Sequence, residues 1–197
     1  EEERVFKRIL LLEIFQAFNK YCCEILFSIF SKNFLVVALV EETCKYVFLR
    51  WRTWKNPAFD YLFDGIVYAV FVSLGFAIAE NIAYVFQYGY GTAIARAFTA
   101  IPGHCVFAVF MGYFYGMARH NLGNGDTGRS ALNRALALIV PLFIHGLYDF
   151  ALSVESDYVS LAGLGFTVVV FIFLYVPMLV LGVDEADLGR EQKRAYK

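Results

Sequence analysis

Five long apolar segments dominate this chain, and each is long enough to cross a lipid bilayer. A membrane-spanning helix needs about 20 mostly apolar residues, because the hydrocarbon core of a bilayer is about 30 Å thick. Turn-forming and polar residues separate the segments. Their predicted ranges are 33–52, 61–86, 95–118, 132–153 and 158–182. We therefore predict an all-α fold, a polytopic transmembrane helical bundle with five spans.

The composition fits a chain that is surrounded by lipid. It is 59% hydrophobic and 18% charged, whereas ordinary soluble domains are roughly 45–50% apolar and about 25% charged. The formal net charge of -1 provides no basic surface, so no nucleic-acid partner is expected. The expected partner is the bilayer itself, and the sequence leaves the oligomeric state open.

The segment before the first predicted span has a different character. Apolar residues recur at helical spacing over 4–30, but charged and amide side chains interrupt them. We interpret this segment as an amphipathic helix lying in the membrane interface, with a sixth span as the alternative. The expected organisation is a single membrane-embedded unit over 1–197, with the N-terminal helix at 1–30, the bundle at 33–182 and a polar tail at 183–197. The chain starts with glutamate and lacks a signal peptide, and we expect it to be the core of a longer protein.

Lysine and arginine are concentrated in alternate loops, which predicts the orientation of the spans. Arg50, Arg52 and Lys55 follow the first span, and further basic residues occur in the 119–134 loop and the tail. Because such residues favour the cytoplasmic side, we predict a multi-pass integral protein of the cell membrane with these loops inside. Residues 121–130 are Gly-rich and polar, and they are predicted to form a flexible loop.

Ionisable residues occur at one common depth in four of the spans. At a rise of about 1.5 Å per residue, each lies roughly 6–14 Å below the outer end of its helix. A charge in hydrocarbon costs roughly 2.5–3.5 kcal/mol on insertion scales, so such residues are expected to be functional. They are Glu41, Glu42, Lys45, Glu80, His104, His145 and Asp149. We predict a site nearer the extracytoplasmic face.

Local spacing predicts how some of these side chains pair. Glu41 and Lys45 are four residues apart on one helix, and so are His145 and Asp149, whose carboxylate can accept the second imidazole N–H. Each pair alone could also be structural. Glu42 is turned by about 100° from Glu41, so we expect the two glutamates to have different roles. Pro102 is expected to interrupt its helix beside His104, and Gly112 with Gly116 predicts close helix packing.

Two hydrolytic mechanisms fit these residue types. In the first, Glu42 or Glu80 activates water, while His104 and His145 supply protons and oxyanion contacts. In the second, a divalent metal, zinc before others, is held by some of these four side chains, and the remaining glutamate is the general base. In the first mechanism, Lys45 holds Glu41 ionised.

The ordered motifs resemble the PrsW family of intramembrane proteases over about 33–153. They are Glu41-Glu42-x-x-Lys45, Phe76-x-x-x-Glu80 with Asn81, His104, and His145-x-x-x-Asp149, preceded by Phe63-Asp64-Gly65. The layout is also distantly similar to the CAAX prenyl endopeptidases, whose second motif carries histidine where this chain has Glu80. The resemblance implies a protease that makes a first cut in a single-span, membrane-anchored anti-sigma factor near its extracytoplasmic side. It implies catalytic roles for Glu41, Glu42, Glu80, His104 and His145, supported by Lys45, Asn81 and Asp149.

Two functions of other classes remain open at this point. Intramembrane carboxylates and histidines also form proton relays in ion- or proton-coupled transporters, although no internal repeat of the motif-bearing segments is visible. A non-catalytic membrane scaffold would use the same groups to hold helices together. Alanine at Glu80 separates the three functions through loss of cleavage, loss of flux or loss of stability.

Overall fold

The computed structural model describes residues 23–153 and Gly165, and this part of the chain is helical apart from short connections. Its helices are α1 (Cys23–Thr53), α2 (Leu62–Tyr88), α3 (Tyr90–Phe98), α4 (Ala100–Gly123) and α5 (Thr127–Ser153). Four of them, all except α3, are long and apolar enough to cross a membrane. The predicted fifth span at 158–182, the tail and most of the N-terminal helix lie outside the described residues.

The first predicted span starts too late in the sequence. Helix α1 runs without a break from Cys23 to Thr53, so the predicted separation between an interfacial helix ending at residue 30 and a span beginning at 33 is wrong. No proline or glycine interrupts this stretch, and a wider π-helical segment over Lys32–Ala38 continues the helix. Asn33 is buried there, and its amide donates to Ser153 Oγ on α5 at 3.1 Å.

Two further boundaries differ from the prediction. The predicted span at 95–118 begins only at Ala100, because residues 90–98 form the separate helix α3, which follows Gly89 at φ +87°. The predicted flexible loop at 121–130 is a turn of three residues, 124–126. There the Asp126 carboxylate accepts from the Arg129 amide at 2.8 Å, and the Ser130 hydroxyl donates to the Ala118 carbonyl at 2.8 Å. Helix α5 therefore starts at Thr127 instead of residue 132.

Pro102 does not interrupt its helix. It is the third residue of α4, and the first residues of any helix have backbone N–H groups without an intrahelical partner. A proline at that position costs no hydrogen bond. His104 therefore lies two residues further along a regular helix.

Close packing of α2 against α4 brings the polar residues of these helices together. Gly65 lies against Gly112 and Gly116, and a Cβ added at Gly112 would be 2.4 Å from Ile66 Cα. One added at Gly116 would be 2.6 Å from the Leu62 carbonyl oxygen. The predicted small-residue packing is thus present, and it fixes the register in which Ser73 reaches His104.

Candidate active site

The structure joins the seven ionisable side chains predicted from the sequence into one cluster. Each touches at least one other across contacts of 3.2 Å or less, and together they come from α1, α2, α4 and α5. Glu42 is fully buried, and Lys45, His104 and His145 are almost so. The common depth that the sequence predicts is therefore the level at which these four helices meet.

Lys45 lies at the centre of the cluster. Its ammonium donates to Glu42 Oε1 at 2.7 Å, to Glu41 Oε2 at 3.2 Å and to His104 Nδ1 at 3.0 Å. Glu41 and Glu42 share one partner although they point in different directions from the helix. Lys45 lies four residues after the first and three after the second, and its side chain is long enough to reach both. One cation on α1 compensates two carboxylates of the same helix.

The contacts of His104 determine its tautomer. An ammonium group can only donate, so His104 Nδ1 accepts from Lys45 and the ring proton is on Nε2. That N–H donates to Glu80 Oε2 at 3.0 Å. The backbone carbonyl of His104 accepts from the Ser73 hydroxyl at 2.9 Å, which ties α4 to α2 at this point.

Glu80 is held from two sides. His104 binds one carboxylate oxygen, and Arg96 Nη2 binds the other at 2.8 Å. Arg96 lies on the short helix α3, and its guanidinium carbon is 3.8 Å from the centre of the Tyr84 ring. Both oxygens of Glu80 therefore have charged or ring N–H partners, which orient the carboxylate.

His145 lies between two carboxylates. Its Nδ1 is 2.8 Å from Glu42 Oε1, and its Nε2 is 3.2 Å from Asp149 Oδ2. The contact with Asp149 is the one predicted from the spacing of four. A neutral imidazole has one N–H and can donate to only one of these oxygens, whereas the protonated ring donates to both. The ring also stacks on Phe107 with centroids 4.7 Å apart.

A cavity of about 300 Å³ reaches this cluster from the end of the bundle where α2 and α5 end and α4 begins. Glu80, His104, His145 and Asp149 all line it, and Arg96 closes one side. The same wall carries Asn33, Thr99, Tyr148 and Ser153. Polar side chains therefore line the cavity as far as both histidines.

Asn81 does not reach the cluster. Its side-chain amide donates to the Ala93 carbonyl at 3.4 Å, which links α2 to α3. The supporting role that the resemblance implies for this residue stays a prediction, and its observed contact attaches the helix that carries Arg96.

Sequence reasoning missed two residues near the site. Arg96 is not among the predicted site residues, although its position two residues before the end of a short helix follows from the breaks at Gly89 and Thr99. Pro141 is fully buried inside α5, one turn before His145. A proline there removes the N–H that would bond to the carbonyl of Ala137, so the helix carrying His145 lacks one backbone bond.

A family model for PrsW family intramembrane metalloproteases matches residues 6–178, which is most of the chain. The chain belongs to this PrsW family. It is therefore an integral membrane protein, in agreement with its four candidate spans. The family resemblance drawn from the motifs is confirmed.

Named relatives agree with the family match. The chain is 37% identical over 131 residues to Protease PrsW of Oceanobacillus iheyensis, covering 66% of this chain and 59% of that protein. It is 37% identical over 130 residues to Protease PrsW of Bacillus subtilis (66% and 58%) and 36% identical over 151 residues to that of Clostridioides difficile (75% and 61%). The chain thus spans about three fifths of the length of these PrsW relatives. No solved structure matches it significantly.

The polar cluster fits the metal that the PrsW family description implies. Two groups of three side chains each offer ligand atoms within 4.8 Å of one another, Glu41 with Glu80 and His104, and Glu41 with Glu42 and His145. The four ligands predicted from the sequence are thus divided between two groups, and Glu41 belongs to both. Glu42 Oε2 is buried without a hydrogen-bond partner, as expected of an atom that accepts a cation. Carboxylate oxygen and imidazole nitrogen are ordinary zinc ligands.

Proposed function

We propose that this chain is an intramembrane endopeptidase that hydrolyses a peptide bond in a single-span membrane protein near its extracytoplasmic side. The observation that carries the proposal is the cavity, which brings Glu80, His104 and His145 to one polar space inside four apolar helices. Peptide hydrolysis needs an activated water, stabilisation of an oxyanion and a proton for the leaving amine. Carboxylates and imidazoles around one water-accessible space can meet all three needs.

The group of Glu41, Glu80 and His104 is our first choice for the ligands of a divalent ion, with zinc as the expected metal. To bind the ion, His104 would give up its contact with Lys45 or with Glu80. Glu80 and His104 line the cavity, whereas Glu42 is fully buried and shares one oxygen between Lys45 and His145. A bound zinc ion supplies Lewis acidity and lowers the pKa of a coordinated water. Glu42 and His145, which the sequence also predicts as ligands, are the competing set together with Glu41.

His145 is the proposed proton donor to the leaving amine. Its ring faces the cavity, and Glu42 and Asp149 hold its two nitrogens. A ring held by two carboxylates is oriented for proton transfer. Glu42, at the other side of this ring, is the proposed general base when Glu41, Glu80 and His104 bind the ion.

A membrane-anchored anti-sigma factor is the proposed substrate, as the PrsW resemblance implies. The concentration of arginine and lysine at the opposite end of the bundle supports an orientation with the cavity toward the extracytoplasmic side. A segment that enters there would come from the outer end of a spanning helix. The cell membrane is the proposed location.

The test combines metal analysis with cleavage. The chain is purified in detergent as wild type and as Glu80→Gln, His104→Ala, Glu42→Gln and His145→Ala, with Glu24→Gln and His120→Ala as controls at exposed positions. Near-stoichiometric zinc that is lost in Glu80→Gln and His104→Ala but kept in Glu42→Gln would assign the ion to the group of Glu41, Glu80 and His104. Cleavage of a reconstituted single-span anti-sigma factor should be lost in all four variants and kept in both controls. An active wild type free of metal would refute the metal assignment, and full cleavage by Glu80→Gln would refute the proposed site.

A further inference from the structure

Three arginines from three helices surround Trp54 at the end of the bundle away from the cavity. The guanidinium carbons of Arg50 on α1, Arg119 on α4 and Arg134 on α5 lie 5.8, 5.9 and 5.9 Å from the centre of the indole ring. Arg119 is also 6.0 Å from the Phe59 ring. The three residues are far apart in sequence, and only the packing of α1, α4 and α5 brings their charges together.

Within residues 23–153, no carboxylate balances these three charges in an ion pair. The arginine ion pairs within residues 23–153 lie elsewhere, between Arg96 and Glu80 and between Arg129 and Asp126. None of the three guanidiniums around Trp54 forms an ion pair in that part of the chain, and Arg134 Nε has only the Ser130 carbonyl at 3.4 Å. All three guanidinium groups lie within 6 Å of the centre of one ring, and a bound anion would offset the repulsion between their like charges.

The surroundings point to a lipid as the source of that anion. Val47, Phe48 and Trp51 form an exposed apolar face of α1 beside the arginines, and Trp51 is 73% exposed. Tryptophan at such a helix end is typical of the level of the lipid headgroups. Guanidinium groups bind phosphate oxygens through paired N–H donors. We infer that Arg50, Arg119 and Arg134 form a binding site for the phosphate of an anionic phospholipid, whose acyl chains lie along the Val47–Trp51 face.

The chain contains only two tryptophans, which makes the site measurable. A Trp51→Phe variant leaves Trp54 as the sole indole reporter. This protein is reconstituted in bilayers of phosphatidylcholine with increasing fractions of brominated phosphatidylglycerol or, for comparison, of brominated phosphatidylcholine. Bromine on acyl chains near Trp54 quenches its fluorescence, so the two titrations compare the occupancy of the site by each lipid.

The site predicts stronger quenching by phosphatidylglycerol. One arginine near a membrane surface contributes a factor of about five in binding to an anionic lipid, so Arg119→Gln should reduce the selectivity by about that factor. Arg119→Lys keeps the charge and should keep most of the selectivity, which separates loss of binding from misfolding. The matched control is Arg52→Gln, which removes a charge at the same helix end but beside Trp51, and it should leave the selectivity unchanged.

Other outcomes overturn the inference. Equal quenching by the two lipids, or selectivity that survives Arg119→Gln, excludes a phosphate site at these arginines. An equal loss in Arg52→Gln would indicate general surface charge in place of a site. Loss of the selectivity when millimolar inorganic phosphate is added would assign the arginines to free phosphate and not to a lipid.

Discussion

Glu42 and His145 lie 103 residues apart in the chain, yet Glu42 Oε1 is 2.8 Å from His145 Nδ1. The same oxygen accepts from Lys45 at 2.7 Å. One carboxylate atom therefore links the first and last described spanning helices and connects the ammonium with the ring that faces the cavity. Its second oxygen has no hydrogen-bond partner.

Replacement of Glu42 by glutamine should abolish cleavage. The amide keeps the size of the side chain but loses the negative charge that holds both Lys45 and His145, and we expect the cleavage rate to fall by at least about 100-fold, the lower range for removing general acid–base function. Initial rates with a reconstituted substrate measure this, beside Glu24→Gln on the exposed part of α1. A variant with more than a tenth of the wild-type rate would show that Glu42 has no chemical role.

Lys45→Met should destabilise the folded protein. The variant leaves Glu41 and Glu42 without their cation in an apolar bundle, and removal of one partner of a buried ion pair costs about 3–5 kcal/mol. The free energy of unfolding can be measured by titration with sodium dodecyl sulfate. Lys55→Met, at an exposed position just after α1, is the comparison, and equal stabilities of the two variants would contradict a compensating role for Lys45.

Arg96→Gln should slow turnover without weakening substrate binding. Arg96 holds the oxygen of Glu80 that His104 does not, and loss of a residue that orients a ligand or catalytic group costs about 10–100-fold in activity or metal affinity. We expect kcat to fall by that factor, KM to stay within about twofold and the zinc content to decrease. Arg52→Gln is the matched control. A rise in KM with unchanged kcat and zinc would assign Arg96 to substrate binding instead.

Gly112→Ala should weaken the contact between α2 and α4. Its Cβ would lie 2.4 Å from Ile66 Cα and 2.6 Å from the Gly65 carbonyl oxygen, both backbone atoms. Overpacking of this kind costs about 1–3 kcal/mol in the free energy of unfolding. Gly75→Ala on α2 meets nothing within 4 Å and should leave stability unchanged or slightly raised. Similar unfolding curves for both variants would mean that the helices are free to separate at this crossing.

The sequence predicts the polar cluster well because two simple regularities determine it. Rise per residue sets the depth of each side chain, and spacing by four places His145 beside Asp149. The depth and the spacing can both be calculated from the geometry of a single regular helix. The contact between Lys45 and His104 crosses from one helix to another, and its distance depends on packing that periodicity does not describe.

Boundaries were predicted less well, for a related reason. Hydropathy merges adjacent helices when both are apolar, so the break at Thr99 that separates α3 from α4 was missed, and with it the role of Arg96. Polar composition also predicted a long loop around Gly123 and Gly125. Capping of α5 by Asp126 and the bond from Ser130 to Ala118 shorten that loop to a turn.

Lys45 and both of its carboxylate partners lie on α1, and this matters before the bundle exists. An isolated helix that enters the membrane carries its charges without help from neighbours, and each costs several kcal/mol in hydrocarbon. Glu41, Glu42 and Lys45 partly neutralise one another within about one turn, which lowers the cost of placing α1 in hydrocarbon. Glu80 has no such partner on its own helix. Its cation, Arg96, comes sixteen residues later in the chain, so the charge of Glu80 has no compensating cation until α3 has packed against α2.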